Sequence, residues 1–432
     1  MPANTEQSKV CQWDSLDKAT LAHFGREVML CNQIHDRALM PLIAVRWNEA
    51  RVTRQALDEW MGASPVYNAR NRALHSMQGN GVDTIMKGFQ LDIGAPHMWL
   101  KFHYDVRDAD YGQFWLTSCG AYNHVRALTQ ANPAAETQIC VHMEDPTFDA
   151  TVMAVNAGAR CRPVFRPPHG GDIPAEGPCR WEVAIEPGDQ IEAVQFGTFT
   201  DAVRSSRAGQ FQFSEGPASD DGMADYAGPF KRDFTLEDLC YSKLLTQVKE
   251  FALDVHLLQR ASYLSLMTDY GPEVVSELIA EHCAAMAPVY QARLRRLFGI
   301  EGEDMDAILR LLQVDPHFVP EYTASRVELI DARNGRLWIG DCAAIDDGQV
   351  QGVLTDILAG KPNGLLQIVQ AANPRASVSA ITSDLPPGAV YGFHISIDPT
   401  ATPAPTSPWA ELAGMNGLLE ADLSRHIYHY ED

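Results

Sequence analysis

The sequence predicts an α+β protein made of two tandem copies of one module. Three observations carry this reading. Two halves align at a constant offset of 223 residues over 58 positions: SPVYNARNRALHSMQG (64–79) matches APVYQARLRRLFGIEG (287–302), and RDADYGQFWLTSCGA (107–121) matches IDARNGRLWIGDCAA (330–344). Each copy opens with apolar residues at helical spacing. Each then passes into short β-type runs broken by turn residues, Tyr111-Gly112 in the first copy and Asn334-Gly335 in the second, the latter a strong hairpin signal. Helices followed by strands point to α+β. By analogy with two-fold homodimers, two copies in one chain predict an intramolecular pseudo-dimer.

In chain order, residues 16–46 form a helix with Asp14 or Ser15 as its cap, mirrored by 236–268 behind Thr235. Residues 52–61 form a second helix, mirrored by 273–287. A third helix begins at Pro65 and at Pro288, each a first-turn proline. Strands follow at 99–106 and 325–330, then at 114–118 and 337–340. The run 138–143 reads as a strand entering Asp145-Pro146, equated with 366–370 entering Asn373-Pro374, where Asp or Asn caps a helix and Pro opens it. Closing strands are CRWEVAIEP (179–187) and YGFHISIDP (391–399), and the first copy carries an extra loop near 163–178. Four segments result: a first repeat at 14–187, a polar, Gly-rich linker at 188–233, a degenerate, structural second repeat at 234–399, and a C-terminal tail at 400–432 that ends in HIYHYED.

A formal net charge of −22 and a pI near 5.0 argue against nucleic acid or an anionic membrane as partner. No apolar run is long enough to span a bilayer, and no export signal is visible at the N-terminus. Nine cysteines, an odd number without CxxC spacing, read as reduced thiols in a cytoplasm. P-loop, GxGxxG, HExxH and GxSxG elements are missing from the sequence, so the common nucleotide, zinc-protease and α/β-hydrolase signatures do not apply.

Comparing the copies locates one-sided chemistry. His103 and Asp105 face Arg326 and Glu328, while His142 and Glu144 face Gln370 and Ala372 at the offset set by the two Pro residues. His35, His75 and His97 face Leu258, Phe298 and Pro320. Residues i and i+2 share a strand face, so His103 with Asp105 and His142 with Glu144 form candidate acid/base pairs if both segments are neighbouring strands. Imidazole beside carboxylate suits a general base near neutral pH or a divalent-metal site; the plainer alternative is a wet sheet face. Cys119 is a candidate nucleophile, yet Cys342 occupies the same place in the second copy, which fits a buried structural thiol. Trp99, Tyr104, Trp115, Phe148 and Trp181 could wall a pocket, and Arg70 could clamp a carboxylate. Glu277, Glu281 and His282 could be ligands, although Glu at i and i+4 is usually a solvated helix face.

The stretch from FWLTSC (Cys119) through ICVHMEDP (Cys140 to Pro146) to CRWEV (Cys179 to Val183) resembles the domain of bacterial L-2-amino-thiazoline-4-carboxylate hydrolases, and more distantly vinyl-reductase-type small-ligand-binding domains. The resemblance covers about residues 99–187, and the second copy more loosely. It implies hydrolysis or binding of a small organic acid and allows Cys119 a nucleophilic role. The expectation is a cytoplasmic catabolic hydrolase or lyase for a small aromatic or heterocyclic acid, with no cofactor or a divalent metal. A cofactor-free decarboxylase or carbon–carbon lyase, or a non-catalytic apolar-ligand-binding protein, are the alternatives. A homo-oligomer is left open.

Overall fold

The computed structural model describes residues 12–169, 172–186, 196–216, 218–346, 352–414, 420–426 and 428; the N-terminal stretch, parts of the linker and most of HIYHYED lie outside them. The first copy runs α1 (Lys18–Arg46), α2 (Glu49–Leu74), α3 (Val82–Gln90), β1 (Leu100–Val106), β2 (Tyr111–Cys119), α4 (Gly120–Thr129), α5 (Pro133–Thr137), a π-helical segment (Gln138–Met143), α6 (Glu144–Met153), β3 (Ala159–Phe165) and β4 (Cys179–Ile185). Short helices α7 (Thr200–Ser205) and α8 (Arg207–Gln210) follow. The second copy runs α9 (Tyr241–Tyr270), α10 (Pro272–Phe298), α11 (Met305–Gln313), β5 (Ser325–Asp331), β6 (Asn334–Gly340), α12 (Ala343–Asp346), α13 (Val353–Leu358), α14 (Asn363–Ala372), β7 (Ala376–Ile381) and β8 (Ala389–Ile397), with α15 (Pro408–Gly414) in the tail. The fold is α+β. Two antiparallel four-stranded sheets share one topology, β1-β2-β4-β3 and β5-β6-β8-β7.

Several local expectations are corrected. Asp17, not Asp14 or Ser15, caps α1 by accepting from the Thr20 amide. Thr235 closes a capping box on a 3-10 turn at Leu236–Asp238, ahead of α9. No helix starts at Pro65 or Pro288; both lie inside the long helices α2 and α10. Pro65 cannot donate to the carbonyl four residues back, and that carbonyl, Met61 O, instead accepts from the Gly197 amide at 3.2 Å and the Thr200 hydroxyl at 3.0 Å. The segment read as a loose linker therefore repairs the helix. It is also anchored by Tyr226, fully buried, whose hydroxyl donates to Gln90 Oε1 at 2.9 Å.

The run 138–143 is helical, not a strand. Six residues are too few for periodicity to separate strand from helix, and Pro146, which lacks an amide for the preceding turn, is accommodated by the wide π turn before it. Asp145 does not cap a helix: Arg166 grips it with two hydrogen bonds, at 2.9 and 2.7 Å. The structural counterpart of Asn373 is Asn156. Each turns the chain into the third strand of its sheet, Asn156 Oδ1 accepting from Gly158 N and Asn373 Oδ1 from Arg375 N. Helices α3 and α11, which the sequence reading missed, occupy matching places 223 residues apart.

The long helices pack across the copies, α2 against α9 and α1 against α10. Their contacts are reciprocal. Arg70 binds Glu250 through Nε and Nη2 at 2.9 and 2.8 Å, and its counterpart Arg293 binds Glu27, the counterpart of Glu250, at 2.5 and 2.8 Å. Trp47 stacks on its own counterpart, Tyr270, with ring centroids 4.0 Å apart.

Candidate functional site

A cavity of about 410 Å³ lies in the first copy, between α1 and α2 on one side and β1, β2, α4, the π-helical segment and α6 on the other. Its walls are mainly apolar and aromatic, with Trp60, Tyr67, Phe89, Phe102, Tyr122 and Phe148 prominent. The inward face of β1 carries Leu100 and Phe102, both buried cavity residues. Apolar walls with few polar groups are the usual character of a small-molecule site.

Part of this wall comes from a volume exchange between the copies. Where the second copy has His317, buried and bonded to Asp315 at 2.7 Å and Gln259 at 2.9 Å, the first has Gly94. A Cβ at Gly94 would stand 2.6 Å from the Trp60 ring, and Trp60 takes the place of the smaller Cys283. Trp60 Nε1 then donates to Asp36 Oδ2 at 3.1 Å, and Asp36, the counterpart of Gln259, lines the cavity.

Among the polar residues lining this space, four bear most on its chemistry. Arg37 on α1 is the first. Its Nη1 donates to the Gln33 carbonyl at 2.7 Å and to Gln33 Oε1 at 3.1 Å, while its Nε is buried without a partner. The guanidinium lies 4.2 Å over the Trp99 ring. No carboxylate among the described residues forms an ion pair with it, and burial lowers its pKa to about 10. A buried cation beside an apolar cavity, with a donor to spare, is a ready partner for an anion.

Glu144 at the start of α6 is the second. Its carboxyl is half-buried at the cavity wall with no hydrogen-bond partner among the described residues. Burial pushes its pKa up to about 7, with a further push from Asp145 and opposition from Arg166. Such a group exchanges protons near neutral pH. Cys119 is the third. Its Sγ accepts from the Tyr122 amide at 3.3 Å, and burial, then Glu144, raises its pKa to about 12, so it remains a thiol near neutral pH. Cys140 and Cys179 also line the cavity as buried thiols raised by burial. Asp92 is the fourth, accepting from Tyr67 OH at 2.9 Å and Gly94 N at 2.7 Å, with burial raising its pKa to about 6.

The other sequence candidates sit elsewhere. His103 stacks on Trp115 on the opposite face of the sheet, its Nε2 3.1 Å from Thr117 Oγ1, and Asp105 is exposed beside Gln113 in register. His142 is exposed on the π-helical segment and does not line the cavity. The pair of facing strands therefore does not form, because only one of the two segments is a strand and its His103 side faces away. Tyr104 is buried with its hydroxyl 2.7 Å from His97 Nε2, and Trp181 stacks on Phe114 in the core. Trp99 holds Arg37 from behind and packs on Gly120, where a Cβ would stand 2.0 Å from the ring. Arg70 is committed to Glu250. His282, a candidate ligand from the sequence, is fully buried, with Nδ1 2.6 Å from Tyr263 OH.

Behind Asp36, the ligand atoms of His35, Asp36 and Glu59 all lie within 4.8 Å of one another. Arg37 and Asp36 escaped the sequence reading, although the signals were present: Arg37 is repeated as Arg260, and Asp36 is an acid where the second copy has Gln259. The comparisons with known proteins add nothing to this geometry. The chain matches no family model, no curated protein and no solved structure.

Proposed function

We propose that the chain is a cytoplasmic enzyme, a hydrolase or lyase for a small aromatic or heterocyclic organic acid, with its site in the first copy. In this reading Arg37 holds the substrate carboxylate and the aromatic walls hold its ring. Glu144 acts as general acid or base at the reacting centre, and Cys119 serves as a neutral neighbour of Glu144, not as a thiolate nucleophile. The observation that carries the proposal is the presence, in one apolar cavity, of a buried guanidinium with no ion pair among the described residues and a carboxyl whose pKa is about 7. The resemblance of residues 99–187 to an organic-acid hydrolase domain points the same way. The two repeats act as an internal pseudo-dimer, supported by the reciprocal Arg70–Glu250 and Arg293–Glu27 pairs, because in a two-fold interface residue i meets j and j meets i.

The test is a screen of aromatic and heterocyclic carboxylic acids for turnover, with the matching amides as controls. Glu144→Gln is expected to lower kcat about 10²–10⁴-fold, as loss of a general acid/base does. Arg37→Met is expected to weaken binding of acids but not of amides. Binding without turnover, unaltered by Glu144→Gln, would refute catalysis. It would favour a non-catalytic ligand-binding protein, a reading to which the apolar walls and the protonated Cys119 also lend support.

A further inference from the structure

We infer that His35, Asp36 and Glu59 form a binding site for one divalent cation of the zinc, manganese or iron(II) class, opening through Asp36 onto the cavity. The three groups come from two packed helices, His35 and Asp36 from α1 and Glu59 from α2. His35 Nε2 stands 3.5 Å from Glu59 Oε1. Ligand atoms about 2.0–2.2 Å from one ion stand roughly 3.0–3.6 Å from each other. The His–Glu pair already meets that spacing, and the Asp36 ligand atom lies within 4.8 Å of both.

The second observation is the state of the atoms themselves. His35 and Glu59 are fully buried. Both ring nitrogens of His35, both carboxylate oxygens of Glu59 and Oδ1 of Asp36 lie buried without a hydrogen-bond partner. Buried polar atoms are nearly always satisfied, and one ligand atom from each of the three residues lies within 4.8 Å of the others. The Asp36 and Glu59 carboxyls lie beside each other, with Ser262 next to Glu59; no Lys or Arg among the described residues forms an ion pair with either, and adjacent buried carboxylates are costly unless neutralised, which a shared cation does.

The donors are one imidazole and two carboxylates with no thiol among them, which selects borderline to hard divalent ions over Cu(I). Outer contacts are in place as well. Trp60 Nε1 binds the second Asp36 oxygen at 3.1 Å, and the His35 carbonyl lies 3.2 Å from His282 Nε2. Three protein ligands leave coordination positions open, as in metal sites that bind a further molecule. The set belongs to the first copy alone, since the positions 223 residues on are Leu258, Gln259 and His282.

This inference does not rest on turnover. A chain that binds the ion and converts no acid would keep the metal site and lose the enzyme reading. The experiment uses the full chain, stripped with chelator, and titrates Mn²⁺, Zn²⁺ and Co²⁺ by calorimetry in two buffers of different ionisation enthalpy. Expected are about one ion per chain and a Co²⁺ d–d spectrum without a thiolate charge-transfer band. Glu59→Gln and Asp36→Asn should each weaken binding at least about tenfold, whereas Cys119→Ser should not. Should one variant fail to fold, the other and the wild-type Co²⁺ spectrum decide. No binding up to about 1 mM ion, well above the affinity of a built protein site, would overturn the inference. So would a thiolate band, or unchanged affinity in the folded carboxylate variants.

Discussion

Replacing Glu144 with Gln separates the energetic cost of this residue from its proposed use. Its carboxyl is raised from the ordinary 4.5 to about 7, chiefly by burial. Between those two pH values the folded chain binds more protons at this site than the unfolded chain does. Stability therefore falls as pH rises through that window and levels off above about 7. At 1.36 kcal/mol per pH unit, the loss approaches about 3 kcal/mol, an upper figure because the group is only half-buried. Glu144→Gln removes the ionisable group, so the variant should match wild type near pH 5 and exceed it by about 2–3 kcal/mol at pH 8. Other raised carboxyls, such as Asp92 and Glu59, titrate in both proteins and cancel in the difference. Urea denaturation of both chains at half-unit steps from pH 5 to pH 8.5 reads this directly. A difference that stays flat across the range, or grows toward acid, would refute the reasoning.

Three further outcomes follow from the packing. Glu27→Gln takes the carboxylate away from the buried Arg293 guanidinium and should cost about 3–5 kcal/mol in urea denaturation; a loss below about 1 kcal/mol would mean that the cross-copy pair contributes little. Gly120→Ala forces a Cβ to within 2.0 Å of the Trp99 ring and should cost about 1–3 kcal/mol, read as a lowered Tm, while also loosening Arg37 and weakening acid binding. His142→Ala removes an exposed side chain outside the cavity, so it should shift stability by less than about 0.5 kcal/mol and leave turnover untouched; a drop in kcat would put His142 back among the catalytic residues.

How much of this was legible depends on how far apart the deciding residues lie. The hairpins at Tyr111-Gly112 and Asn334-Gly335 were readable because turn chemistry is local. The unbroken α2 was not, because the groups that relieve Pro65, Gly197 and Thr200, lie far along the chain. The run 138–143 was ambiguous by nature, since a six-residue apolar stretch fits either period. That error misplaced His142 and Glu144 together, yet Glu144 reaches the cavity from the helix all the same. His103 and Asp105 failed for another reason: alternation reveals that a strand has two faces, not which one meets the helices.

The sequence by itself determined the repetition, the α+β class and the uneven distribution of His and carboxylate residues between the copies, because these rest on residue identity and short-range pattern. Tertiary structure alone decided where that chemistry lies. Arg37 is available to an anion in the proposed reading because no carboxylate among the described residues forms an ion pair with it, and Glu144 titrates near neutrality because the fold buries it. His35, Asp36 and Glu59 form a cluster only because α1 and α2 pack there. Burial and proximity are properties of packed surfaces, and the residues that create them are spread over the whole first copy.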